Sequence, residues 1–528
     1  MHVYLSIKRI YNIDIEVNHY QYYGVFKMAR TYCADRGDGF YVNPIFYGNL
    51  CDPSVLKEGD CYYITFGGPG YYAMPVFKSY DLVNWQFLYY ALKDEYIYIM
   101  SPELVKFGDK YYIYTSTGTS TVVMTCDDIE SGDWTSPEIV YDANGEDLVG
   151  INPGHIVDEH GQRYLFLSGN LTYPLSEDGM QAVGEPFRAC PEWPIPDEWD
   201  VKTVFIDNPK LIYRNGYYYM VVAQGGTFGP PTAHMSVLWR SKSIAGPWEA
   251  SPYNPVVHTY SRDEKWWAKG RGIVVEGPKG QWYFLYHAIM NGFRHHGRMT
   301  LMEPVEWTDD GWFKIPDGIS ADKPIPMPAG RKLGHGFELG QDFASTCRLS
   351  PQFNCSQYSV MDRINLSCSS TGLQMEAEGS CLDNSFALMA FAGHKAYMVE
   401  TKVTVEPDVG AGLTIQLDND RSYGIALMYG NVLIYMEDEK WVREPEHIRR
   451  VGGDSCYMRL KDDFGTLSAY YSLDGCQWHK INICADATGW NHNTCKSVYG
   501  WARPGLFAIG NGKATFDYYK YTPLCNDV

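Results

Sequence analysis

Over the first 290 residues, apolar positions recur in paired short runs, each pair split by a polar residue and a glycine. The copies are DPSVLKEGDCYYITFG (52–67), SPELVKFGDKYYIYTS (101–116), NPGHIVDEHGQRYLFLSG (152–169), NPKLIYRNGYYYMVVAQG (208–225) and GRGIVVEGPKGQWYFLYHA (270–288). Each reads as strand, tight turn, strand, because the runs alternate or are wholly apolar and the turn glycine tolerates positive φ. A spacing of roughly 50–60 residues suits one propeller blade per copy. A second module, SYDLVNWQ, CDDIESGDWT and SKSIAGPWE, follows several copies and offers Trp85, Trp134 and Trp248 as blade-packing anchors. Five copies predict five blades. Innermost propeller strands start around a central channel, so positions 52, 101, 152, 207–208 and 271 should ring one pocket.

Beyond this region the pattern changes. KIPDGISADKPIPMPAGRKLGHG is rich in Pro and Gly and reads as a linker. AYMVETKVTVEP, AGLTIQLDN, SYGIALMYGNVLIYME and KATFDYYKY then alternate like an antiparallel β-sandwich. The expected organisation is all-β: an N-terminal extension (1–40), a five-bladed β-propeller (41–318), a linker (319–335) and a jelly-roll, lectin-like sandwich (336–528).

Composition narrows the function. A net charge of −19 disfavours nucleic acid. No apolar run is long enough to span a membrane. The N-terminal stretch is interrupted by Lys8, Arg9, Asp14 and Glu16, so it lacks the unbroken apolar core of a signal peptide. This points to a cytoplasmic location, with export open if the start lies elsewhere, for example at Met28. The 14 cysteines include no C-x-x-C pair, which argues against a zinc site and favours free thiols. His295 and His296 look like a metal pair, but neighbours on a strand point to opposite faces, so no shared ion is expected.

From about residue 40 onward the chain resembles glycoside hydrolase family 43. The resemblance rests on NPIFYGNLCDPSVL, SYDLVNW, AQGGTFGPPTAHM, WWAKGRGIVVEGPKGQWYFLYHA and GRMTLMEPVEWTDDGWF, with a C-terminal part similar to the sandwich that often follows this propeller. It implies an inverting, exo-acting hydrolase of terminal sugars on plant cell-wall glycans: an α-L-arabinofuranosidase, a β-D-xylosidase or a galactosidase variant. Such an enzyme needs one carboxylate to activate water and one carboxyl group to protonate the leaving oxygen, roughly 6.5–9.5 Å apart. By resemblance the general base falls on Asp52.

Two positions depart from the family. Asn152 stands in the slot of the Asp that tunes the acid, and keeps hydrogen bonds without charge. Asp207 stands in the slot of the general-acid Glu and is one methylene shorter. Glu103 is therefore a reserve acid. Arg271 takes the slot of an axial His beside a calcium, so neither cofactor nor metal is expected. Arg298, Arg271, Gln224, His234 and Trp267, with Trp266 beside it, are the candidate sugar contacts. The expected partner is an oligosaccharide or polysaccharide. The altered acid positions also allow a non-catalytic glycan-binding protein. A retaining fructosidase-type propeller is disfavoured by the missing R-D-P motif.

Overall fold

The computed structural model describes residues 29–525 apart from 68–73, 93–98, 346–348, 356–366, 419, 439–440, 443–445, 492 and 495–499. Most of the N-terminal extension, 1–28, thus lies outside the described residues, and among the described residues no α-helix occurs. Five separate antiparallel sheets form the blades. Their innermost strands are Cys51–Glu58, Ile99–Phe107, Gly154–Val157, Thr203–Arg214 and Trp266–Glu276. In each blade a hairpin joins this strand to the next. In the first two blades the two-residue turn begins on Gly59 or Gly108, both with φ of 60°. Trp85, Trp134 and Trp248 are buried between layers. Trp85 and Trp248 also donate their indole N–H to Leu82 O and Ile244 O.

The inner strands share one irregularity that builds the site. Cys51 pairs with Gly67 but Ser54 with Thr65, so one extra residue is inserted in the inner strand. The same shift occurs between Met100 and Glu103, Asp207 and Lys210, and Gly270 and Ile273. Such a bulge bends the strand and re-aims a side chain. The second residue of each bulge has positive φ: Asp52 (52°), Ser101 (20°), Asn208 (50°) and Arg271 (49°). Asn152 in blade three matches them at 55°. Non-glycine residues held here cost on the order of 1–3 kcal/mol each and persist only when their surroundings fix them. Asn208, not Asp207, is therefore the positional equivalent of Asp52, and Asp207 precedes it by one residue.

The ring closes without a covalent link. Residues 43–50 run along blade five, where Ile45 N and Phe46 N donate to Thr300 O and Thr300 Oγ1 donates to Leu50 O. Blade five therefore lies between blades four and one. The Pro- and Gly-rich stretch is docked rather than loose. Ile325–Pro326 pairs with Phe40–Tyr41, and His335 Nδ1 accepts from Trp85 N.

The C-terminal part is two antiparallel sheets face to face. Their inner faces continue into blade one through a single apolar cluster that includes Phe46, Phe77, Phe337, Phe391 and Trp501. Phe391 meets Phe337 at 5.2 Å and Trp501 at 5.0 Å, edge to face. Gly48 fits beneath this seam because a Cβ there would lie 2.6 Å from the Trp501 ring.

The tightness of the ring is testable at Gly154, which occupies the slot held by Ser54, Glu103 and Lys210 in other blades. A Cβ there would sit 2.1 Å from Pro209 O, and backbone on both sides leaves no room to yield. Gly154→Ala is expected to destabilise the fold by at least about 2 kcal/mol. Urea unfolding checks this; an unchanged midpoint would show that the blades can shift apart.

Candidate active site

Arg271, on the bulge of blade five, reaches both neighbouring blades. Its Nη1 donates to Asp52 Oδ2 at 2.8 Å and to Ser101 Oγ at 2.9 Å, while its Nη2 pairs with Asp207 Oδ2. One guanidinium thus spans the carboxyl groups of blades one and four. With hydrogen bonds of ordinary length, their nearest oxygens lie at most about 8 Å apart.

Asp52 is fully buried and accepts from four donors. Ser101 Oγ (3.0 Å) joins Arg271 on Oδ2, while His287 Nδ1 (2.8 Å) and Arg298 Nη1 (3.4 Å) address Oδ1. Burial alone would raise its pKa. Arg271, then Arg298 and the His287 hydrogen bond, outweigh burial and hold the carboxyl well below the usual carboxylate range. Asp52 is therefore held in its ionised form. Burial also keeps His287 neutral, with its pKa lowered to about 4 despite the pull of Asp52. Neutral His287 donates through Nδ1–H, which leaves Nε2 as an acceptor without a hydrogen-bond partner.

Asp207 is more open, with its side chain 19 % exposed against 2 % for Asp52. Ser168 Oγ donates to Asp207 Oδ1 at 2.6 Å and Asn152 Nδ2 donates to the same oxygen. Asn152 therefore lies beside Asp207, as the resemblance implied, but it supplies a donor where a carboxylate would supply charge. Its own Oδ1 is buried without a hydrogen-bond partner.

Glu103 is committed elsewhere, which removes it as a reserve acid. Its Oε2 pairs with Lys210 Nζ, and both side chains are almost fully buried. Lys210 also donates to Pro102 O at 2.6 Å and Pro153 O at 3.2 Å, so the ammonium ties blades two, three and four together. Gln224 is likewise not a free sugar contact. Its amide clamps the Trp193 backbone, accepting from the N–H at 3.1 Å and donating to the carbonyl at 2.8 Å. His234 is buried, stacks on His287 at 5.3 Å and faces Ala268 O through Nδ1. It backs the site behind His287. Gly270 leaves room for it, since a Cβ there would lie 2.2 Å from its ring. Trp266 is buried. Trp267 is half-buried, with the Arg294 guanidinium 5.0 Å from its ring. The sandwich touches the blade-four loop directly: Gly229 N donates to Asn493 Oδ1 at 3.0 Å, and Asn493 Nδ2 donates to Gly229 O at 3.1 Å.

Sequence reasoning placed position 101 in the ring but missed Ser168, His287 and Lys210 as parts of this network. Ser101 stands in the ring of strand starts, and Lys210 holds the same bulge position as Glu103. His287 could be found from its pairing opposite Gly270. Ser168 carries no signal beyond its place at the end of a repeat. A cation between Asp52, Cys51 and His287 does not suit these residues. Their ligand atoms cluster, but two guanidiniums already neutralise Asp52.

The pattern of residues 41–313 matches Glycosyl hydrolases family 43, and that of 341–522 matches the Beta xylosidase C-terminal Concanavalin A-like domain. The chain belongs to glycosyl hydrolase family 43. It is 24 % identical to a xylan 1,3-beta-xylosidase of Vibrio sp over 568 residues, covering 91 % of this chain and 98 % of that one. It is 28 % identical to a non-reducing end alpha-L-arabinofuranosidase of Bacteroides ovatus over 303 residues, 52 % and 54 % of the respective chains. Among solved structures, the Bacteroides ovatus Xyloglucan PUL GH43B superposes with a TM-score of 0.78 at 20 % identity, over 92 % of this chain and all of that one (100 %). The BlXynB protein of Bacillus licheniformis gives 0.76 at 22 % identity, over 92 % and 99 %. The family 43 propeller and its sandwich are thus both present in this chain.

Two outcomes follow. Removing one partner of the buried Glu103–Lys210 pair strands the other charge, so Glu103→Gln and Lys210→Met should each cost about 3–5 kcal/mol. The double variant should lose less than the sum, and additive losses in a double-mutant cycle would contradict the pairing. Stability should also fall with acid. Burial lowers His287 and His335 to about 4 and His155 to about 3, whereas an unfolded His titrates near 6.5. The unfolded chain alone takes up these protons between about pH 6.5 and 4, so the stabilisation is complete above that window and is lost through it. The thermal midpoint should be lower at pH 5 than at pH 7.5; an equal or higher midpoint would contradict this.

Proposed function

We propose that this family 43 chain hydrolyses terminal β-D-xylosyl or α-L-arabinofuranosyl residues of plant cell-wall glycans with inversion, using Asp52 as general base and Asp207 as general acid. The observation that carries the reading is the Arg271 bridge, which puts a fully buried anion and a more open carboxyl group on two sides of one guanidinium. Their separation is compatible with the roughly 6.5–9.5 Å that leaves room for an attacking water. In the reaction, water attacks the anomeric carbon and passes a proton to Asp52. The glycosidic C–O bond breaks, and Asp207 protonates the departing oxygen.

Both groups need release from donors before they act. Arg298 makes the longest contact to Asp52, and its movement to a sugar hydroxyl would free Oδ1 for the water. Asp207 acts as an acid only when it carries a proton, so substrate entry must draw it away from Arg271. The unpaired Asn152 Oδ1 and His287 Nε2 are acceptors for sugar hydroxyls. The named activities of the Vibrio and Bacteroides relatives support the choice of xylosyl and arabinofuranosyl substrates.

A second reading, a glycan binder without turnover, is favoured by one fact: Asp207 accepts from the donors Arg271, Ser168 and Asn152, and Asn152 brings an amide where the family has a carboxylate. Aryl β-D-xyloside and α-L-arabinofuranoside assays separate the two. Wild type should release phenol, Asp52→Asn should lose at least about 10³-fold in kcat/KM, and proton NMR should show the inverted anomer as first product. Restoring both family residues, Asn152→Asp with Asp207→Glu, should raise the rate. Sugar binding by calorimetry with no turnover in wild type would select the binder.

A further inference from the structure

We propose that His295, His296 and Asp462 bind one divalent zinc-type ion at the seam between the propeller and the sandwich. The expectation that the two histidines diverge assumed a strand. Arg294–His296 is instead a 3-10 turn, and both rings swing to one side, with centroids 4.1 Å apart. They meet Asp462, at the end of sandwich strand Ser455–Asp463. His296 Nε2 lies 3.3 Å and His295 Nε2 3.7 Å from Asp462 Oδ2, and all three side chains are about fully buried.

The spacing suits a shared ion. Ligands about 2.0–2.1 Å from tetrahedral zinc stand roughly 3.3–3.5 Å from one another. Two imidazoles and one carboxylate are zinc-type donors and too few oxygens for calcium or magnesium. Neither ring nitrogen of His295 has a hydrogen-bond partner, although the ring is wholly buried. A buried imidazole without partners is costly, and an ion would satisfy Nε2. The remaining contacts orient the other ligands. The Tyr47 hydroxyl bonds to His296 Nδ1, and Asp462 Oδ1 accepts from Gly465 N at 2.7 Å. Such outer contacts fix ring orientation in metal sites. The fourth position would be left to water. Because the histidines come from blade five and Asp462 from the sandwich, the ion would pin the two domains together, independently of the catalytic reading above.

The test loads the full chain with Zn²⁺, dialyses it and measures metal content and thermal midpoint. Wild type should retain about one zinc per chain and melt several degrees higher than after chelation. His295→Ala and Asp462→Asn should each hold less than a tenth of that zinc and melt at a zinc-independent temperature. Cysteines could also capture zinc, so X-ray absorption on Co²⁺-loaded wild type decides the ligands even if a variant fails to fold. A shell of nitrogen and oxygen with two imidazoles is expected. No retained zinc, zinc retained by both variants, or sulfur in the shell would overturn the proposal.

Discussion

The site depends on one cation placed where the ring closes. Blade five is the last to form in sequence and lies between the fourth and the first. A long side chain on its inner bulge can therefore reach carboxyl groups 219 and 64 residues away along the chain. Arg271 does this with a rigid fork of donors that a lysine could not reproduce. Two carboxyl groups so close to one channel would repel each other, and the guanidinium offsets that repulsion while fixing their separation. The charge that ionises Asp52 is thus the same charge that positions Asp207.

The bulges make this reach possible. In a regular strand, side chains alternate between blade faces. In four of the five inner strands an extra residue turns one side chain toward the axis, and the positive φ values at Asp52, Ser101, Asn208 and Arg271 are its signature, with Asn152 alike in φ. Small or hydrogen-bonding residues fill most of these positions. Arg271 is the longest of them, and Gly270 and Gly272 on either side let the His234 and Phe284 rings pack against this strand. Deeper in the channel, Lys210 and Glu103 supply a second, self-contained pair, so two buried cations knit the blades.

Much of this was legible in the sequence. The repeat gave the blade number, because each hairpin has its own apolar pair of runs and turn. The positions of Asp52, Asn152 and Arg271 followed from their place just before each repeated strand. The pairings were not legible. Glu103 and Asp207 are both acids near strand starts, and no local pattern tells which one faces Lys210 and which faces Arg271. That depends on the bulge slot each one occupies: Glu103 follows Ser101 by two residues, whereas Asp207 precedes Asn208 by one. Gln224 looked like a ligand contact because polar residues at strand ends often are, yet here it closes a loop. His295 and His296 lie on a 3-10 turn and not on the strand that alternation assumes, so their rings do not point to opposite faces.

The central claim is that Asp52 and Asp207 divide the work of base and acid across Arg271. The dependence of rate on the leaving group tests it most directly. For Asp207→Ala, the account predicts a loss at least about 10²-fold larger on an unactivated oligosaccharide than on an aryl glycoside whose phenol leaves without a proton. For Asp52→Ala it predicts similar losses on both. Equal losses on both substrates for Asp207→Ala would contradict the assignment.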